Sequence, residues 1–392
     1  MEATSSGLWP GRRRALHTGS HMANARLGQP SIAALKRTYP GIMRRLTEIR
    51  RNSDRFLRSF AVAPLVAACV LATVPALAQI QGAALVRHPH PGVLTWGTEL
   101  KFWPLAGGPP KSLKQGTGFG PGGCVADVDG DGLDDLMVQE RPGSGAFLWL
   151  RAPRWEQRVI ERETEFRDCL PFEFDGHKGV LVPHFNAQLR LYEYPRQRDG
   201  KWIYSEIYSI YTASKQGGLV SFDVDGDGLP DLFIGNYWMR NPGKWDLPWR
   251  LFNMNTFFDK PDAALARQAI YRRPGRAKPD LLWAESEAAP ARFALLERPE
   301  DEQQAWPAQL VEPAPDHPRA LLVLESQPGE WPPILVGAED GLRQYTRAVN
   351  AWRMSKLWTG APVLALFRAG GSLLVVTPQR VERLALPLYR RK

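Results

Sequence analysis

Cysteine is scarce: the 392 residues hold three, at positions 69, 124 and 169. That excludes a small disulfide-stapled fold and any Cys-x-x-Cys metal or redox motif. Histidine is nearly as sparse, at seven residues, and no His-Glu-x-x-His, Gly-x-Ser-x-Gly elbow or Walker phosphate loop occurs. Zincin, hydrolase-elbow and P-loop chemistries are thereby excluded. Acidic residues outside two loops described below show no paired spacing that would name a general acid and base. Helical periodicity is almost missing; Asp262–Ala269 is the one stretch that reads as helix. Long apolar runs are missing too, apart from Phe60–Val74, which is too short for a stable membrane span.

A genuine basic excess is also lacking. The formal net charge is +9, but residues 1–78 carry twelve Lys/Arg against three acids, leaving 38 of each sign in 79–392. The remainder is neutral, which argues against nucleic-acid binding. The excess fits an export signal: Arg50, Arg51, Arg55 and Arg58 form a positive region, Phe60–Val74 an apolar one, and Ala76-Leu77-Ala78 a small-x-small cleavage site before Gln79. On this reading 1–42 is an extension ahead of Met43, 43–78 is the signal peptide and 79–392 is one domain. The protein is exported, to periplasm, medium or cell surface. Val66-Ala67-Ala68-Cys69 also has a lipobox pattern, but the apolar run continues past Cys69, which favours soluble export.

What the chain does have is a repeated acidic string. Asp-Val-Asp-Gly-Asp-Gly-Leu-x-Asp-Leu occurs at Asp127–Leu136 and again at Asp223–Leu232. Carboxylates at positions 1, 3, 5 and 9 are Asp127, Asp129, Asp131 and Asp135 in one copy. In the other they are Asp223, Asp225, Asp227 and Asp231. With the backbone carbonyls of Leu133 and Leu229 at position 7, each loop offers an oxygen shell suited to Ca2+, so two sites are expected. The interleaved glycines let the chain wrap an ion through conformations costly for other residues. An EF-hand would place Glu at position 12 and continue as helix; here Val138 and Ile234 occupy that position inside β-prone runs. A loop of this kind feeding a strand resembles the FG-GAP/VCBS repeat of integrin-like β-propellers. The resemblance is specific for the two loops, about twenty residues, and implies calcium sites and extracellular recognition without implying a reaction.

The loops lie 96 residues apart, a suitable interval for two propeller blades. Midway, Glu173-Phe174-Asp175-Gly176-His177 keeps the start of the motif and loses its later ligands, so no calcium is expected there. Apolar strand marks recur at Gly92–Trp96, Val180–Val182, Pro279–Leu282, Pro333–Gly337 and Ser372–Val376. Trp155, Trp202, Trp249, Trp306 and Trp352 recur at intervals of 47, 47, 57 and 46 residues. Such periods predict an all-β propeller of four-stranded blades, about seven, with six open because both end units are incomplete. The tryptophans are expected to pack between blades. The segment after Gln79 is expected to pair with the C-terminal unit and close the ring. Cys124 and Cys169 sit at near-equivalent repeat positions, and both a disulfide and free thiols remain open.

The leading functional expectation is a binding or interaction scaffold, monomeric, for an extracellular protein or polysaccharide, with no transmembrane span. A propeller-based carbohydrate-active enzyme, polysaccharide lyase or hydrolase, is the alternative; a structural module of an envelope assembly is a third. The aromatic stretch Gly235–Trp249 supplies ligand-binding candidates in Tyr237, Trp238, Arg240, Asn241 and Trp245, although hydrophobic capping of the blade is the favoured role. Catalytic residues cannot be named. His88 and His90 read as a surface loop, and His184 as a packed or polar-paired side chain.

Overall fold

The computed structural model describes residues 79–141, 145–185, 188–197, 200–209, 217–257, 259, 265–348 and 351–386. The extension and signal segments expected over 1–42 and 43–78 lie outside these. All described residues belong to a compact unit spanning Thr73–Lys392. The chain folds as a seven-bladed β-propeller, and no α-helix occurs among the described residues.

Each blade is an antiparallel meander in chain order. Blade 1 comprises β1 (Ile80–Val86), β2 (Gly92–Gly97), β3 (Glu99–Pro104) and β4 (Lys111–Gln115). Blade 2 comprises β5 (Gly123–Ala126), β6 (Asp135–Gln139), β7 (Gly145–Arg151) and β8 (Glu156–Thr164). Blade 3 follows with β9 (Leu170–Phe174), β10 (His177–His184), β11 (Gln188–Glu193) and β12 (Ile203–Ser209). Blade 4 holds β13 (Val220–Phe222), β14 (Asp231–Ile234), β15 (Tyr237–Arg240) and β16 (Arg250–Asn253). Blade 5 holds β17 (Ala266–Tyr271), β18 (Asp280–Glu285), β19 (Phe293–Leu296) and β20 (Ala308–Leu310). Blade 6 has β21 (Ala320–Val323), β22 (Ile334–Ala338), β23 (Gly341–Ala348) and β24 (Ala351–Thr359). Blade 7 has three described strands, β25 (Ala365–Ala369), β26 (Ser372–Val376) and β27 (Val381–Ala385).

Burial explains the pattern of the strand marks. The five apolar marks and the two runs after the acidic loops each fall on the second strand of a blade, and these strands are buried on both faces, as in β2, β6, β14, β18 and β22. A strand covered on both sides reads as a continuous apolar run, which is why it stands out. Outermost strands such as β8 and β12 are largely exposed and read as polar. At most of the seams first strand lies beside first strand, as β1 beside β5 and β17 beside β21, and β25 meets β1, so the ring closes.

The five spaced tryptophans all sit at or just before the fourth strand of blades 2 to 6 and enter the seam with the preceding blade. Trp155 joins the cluster of blades 1 and 2, Trp202 that of blades 2 and 3, and Trp249 that of blades 3 and 4. Trp306 and Trp352 do the same for the next two seams. Their role is packing between blades.

Two expectations fail. Asp262–Ala269 is not a helix: residues 262–264 lie outside the described set, and Ala266–Ala269 belong to β17, paired in register with β18. Alanine's helix propensity is a fraction of a kcal/mol per residue and yields to six paired residues in a sheet. The segment after Gln79 does not complete the last blade either. Ile80–Val86 is the innermost strand of blade 1, and its link to blade 7 is a single bond from Ile80 N–H to Pro378 O at 2.7 Å. Closure comes from packing, with Ile80, Val93, Leu374 and Val376 buried in one cluster across the seam. Arg383 also donates to the Leu105 carbonyl across it. Cys124 and Cys169 are joined by a disulfide with Cα atoms 5.7 Å apart, tying blade 2 to the start of blade 3.

Candidate functional site

Both acidic strings form the connection between first and second strands, of blades 2 and 4, and so open on the same face of the ring. Their backbones are alike. Asp127 accepts from Gly130 N–H at 2.8 Å and Gly132 N–H at 3.0 Å, and Asp223 accepts from Gly226 and Gly228 at 2.7 and 3.0 Å. Asp131 and Asp227 cap Leu133 and Leu229 N–H at 3.0 and 2.9 Å. Gly130 and Gly132 have φ of 74° and 82°, the left-handed region this wrapping demands and a branched side chain would resist.

The consequence is convergence. Asp127, Asp129 and Asp131 each bring a carboxylate oxygen within 4.8 Å of the others, and Asp223, Asp225 and Asp227 repeat the arrangement. At that distance each pair repels by roughly 3 kcal/mol at an effective dielectric constant of 20. The fold compensates in part with one guanidinium per loop. Arg151 Nε lies 2.6 Å from Asp129 Oδ2, and Arg240 Nε lies 2.7 Å from Asp225 Oδ2. The two arginines are equivalent: each ends the third strand of its blade, beside position 9 of the loop. Three carboxylates and one arginine leave two negative charges, the complement of a divalent cation.

The fourth carboxylate of each string behaves differently. Asp135 and Asp231 are fully buried at the first residue of β6 and β14, outside the converging trio. Asp135 accepts from Trp149 Nε1–H and Ala152 N–H, both at 2.8 Å. Asp231 accepts from Val224 N–H at 2.8 Å and Asn241 N–H at 2.7 Å. Burial pushes both carboxyls up to about 6, against the pull of these hydrogen bonds, and the neighbouring loop carboxylates add to the rise. They pin each loop to the strand behind it.

The midway string is a two-residue hairpin between β9 and β10, with Asp175 and Gly176 at φ of 48° and 80°. Here Asp175 accepts from Trp245 N–H at 2.8 Å, and His177 stacks on the Trp245 ring at 3.9 Å. The motif's remnant therefore docks the blade 4 loop.

That docking accounts for Trp245 among the aromatic candidates. Tyr237 and Trp238 are buried in β15 and face opposite seams, with Trp238 stacked 4.5 Å from Phe252. Asn241 is buried and braces the chain through Pro230 O and Gly243 N–H. Arg240 serves Asp225 and Glu302. These five do not converge on one ligand surface. His184 is sealed in as well: it is 3% exposed and 2.9 Å from the Tyr192 hydroxyl, which in turn reaches Glu161 of blade 2. Burial, with Arg190's charge, pushes His184 down to about 3.

His184 is packed and polar-paired as expected; sequence reasoning missed Arg151 and the Glu161, Tyr192 and Arg190 partners that build a network around His184. The signal for Arg151 is its register opposite Asp135, which a strand alignment could have exposed; the network joins two blades and has no local signature. Fold and loops together define a seven-bladed propeller with two equivalent acidic loops on one face. Compared with known proteins, the chain matches no protein-family model and no curated protein. Among the described residues no helix is long and apolar enough to cross a membrane.

Proposed function

We propose that this protein is an FG-GAP/VCBS-type propeller, exported from the cell, that binds two Ca2+ ions and presents a recognition surface to an extracellular protein or polysaccharide. The observation that carries the proposal is recurrence. Two loops 96 residues apart adopt the same aspartate–glycine turns, the same carboxylate trio and the same arginine counter-charge. Independent solvated turns have no reason to share all three. Asp127, Asp129 and Asp131, with the Leu133 carbonyl, would hold one ion; Asp223, Asp225 and Asp227, with the Leu229 carbonyl, would hold the other. Asp135 and Asp231 back the sites and retain lone pairs for an ion or its water. Ca2+ suits an all-oxygen shell of this kind better than softer metals do.

The cations would supply rigidity and charge balance on one face, and the scaffold would carry recognition in the loops around them. The enzymatic alternative gains no support from the His184–Tyr192–Glu161–Arg190 group, whose His and Tyr are sealed between blades. Titration calorimetry of the protein with CaCl2 after chelation tests the reading. Two sites per chain are expected, and none in an Asp129→Ala, Asp225→Ala double variant that remains folded. Two sites retained in that variant would defeat the assignment.

A further inference from the structure

A cavity of about 200 Å3 lies at the seam of blades 1 and 2, on the face that carries the acidic loops. Its walls come from the β1–β2 turn, the loop residues Leu133 and Asp134, and the β7–β8 turn. The floor is apolar. Val86 and Leu94 are 5% and 1% exposed, and Phe102, Leu113 and Trp155 stand around them. Polar groups are confined to the mouth.

Two of those groups carry opposite charge. Lys111, exposed on the outermost strand of blade 1, forms no ion pair with any described residue. Asp134 accepts from Arg87 N–H at 2.6 Å and His88 N–H at 3.1 Å, both on Oδ2, so the β1–β2 turn holds it in place while Oδ1 keeps its lone pairs. The volume falls below the roughly 300–1,000 Å3 of drug-sized sites and leaves room for a single side chain. A sugar would bring hydroxyls onto a floor that offers them no partner, at a cost for each group left unpaired.

We propose that this cavity binds a free amino acid with an apolar side chain, the side chain on the floor, the carboxylate at Lys111 and the ammonium at Asp134. The cavity borders the first acidic loop through Leu133, whose carbonyl belongs to the calcium reading, but Asp134 is not one of the converging carboxylates, and fixed calcium in the test below separates the two.

Binding of L-phenylalanine to the full chain, by calorimetry at fixed calcium, tests it against two probes. 3-Phenylpropionate lacks the ammonium and 2-phenylethylamine lacks the carboxylate. Saturable binding of phenylalanine is expected, with each truncated probe about fivefold weaker or worse, the scale of one partly exposed charge contact. Lys111→Met should weaken phenylalanine and phenylpropionate by a similar factor and spare phenylethylamine; Asp134→Asn should weaken phenylalanine and phenylethylamine and spare phenylpropionate. Lys111 is exposed, and an asparagine at 134 keeps an oxygen to accept from the Arg87 and His88 N–H groups, so both substitutions leave the fold intact. No saturable binding of phenylalanine would overturn the proposal, as would binding indifferent to both substitutions.

Discussion

Chelating calcium should lower the melting temperature by an amount the structure lets one bound. Each loop holds three carboxylates within 4.8 Å and a single arginine beside them. The two net charges left in each loop repel by roughly 3 kcal/mol at an effective dielectric constant of 20, and partial exposure reduces that. A cation removes the repulsion and stabilises the folded state by mass action, about 2.7 kcal/mol per site at a free concentration one hundredfold above its Kd. Two sites then contribute about 5 kcal/mol. For a domain near 300 residues, at about 2 °C per kcal/mol, the shift is on the order of 10 °C. Scanning calorimetry in EDTA and at rising CaCl2 measures it directly. An Asp129→Asn, Asp225→Asn variant needs care, because Arg151 is only 8% exposed and loses its partner, which destabilises the protein whatever the cation does. The comparison must therefore be the calcium shift within each protein. Equal melting in EDTA and calcium, or a full shift in the double variant, would refute the reasoning.

Other outcomes follow from packing and titration. Trp306→Ala removes an indole that is 3% exposed at the seam of blades 4 and 5, and should cost about 3–5 kcal/mol in urea unfolding. The same change at half-buried Trp155 should cost less. Cys124→Ser opens a bridge closing 45 residues and should cost about 2–4 kcal/mol, an effect absent when both proteins are compared under reduction. His184 is held down to about 3 from 6.5 by burial, so its contribution is complete above pH 6.5 and is lost as pH falls toward 3. Asp135 and Asp231, pushed up to about 6, act in the opposite sense over the same range, so the His184 contribution is read as a difference: between pH 7 and 4.5 a folded His184→Gln variant should lose less stability, or gain more, than the wild type. Deleting Ile80–Pro91 removes the innermost strand of blade 1 and should destabilise the whole ring in thermal melts, not trim a tail.

Much of this protein was legible in one dimension. Second strands announced themselves because both faces are covered, leaving runs such as Leu136-Met137-Val138 and Leu232-Phe233-Ile234 without a polar break. Trp155 through Trp352 marked the blades because each seam needs one large plug at the same place in the repeat. The acidic loops were legible because their turns are local: aspartate-to-glycine hydrogen bonds span three to five residues. Other features depend on residues distant in sequence. Ala266–Ala269 became a strand because β18 pairs with it, and no local propensity records that partner. Arg151 joined Asp129 through the strand register, 22 positions away along the chain. The choice between disulfide and thiols rested on the 5.7 Å approach of two blades, and closure on contacts between residues nearly 300 positions apart. Short-range hydrogen bonding and burial periodicity are written into neighbouring residues; the pairing of blades, and the charges it brings together, is decided only when the ring closes.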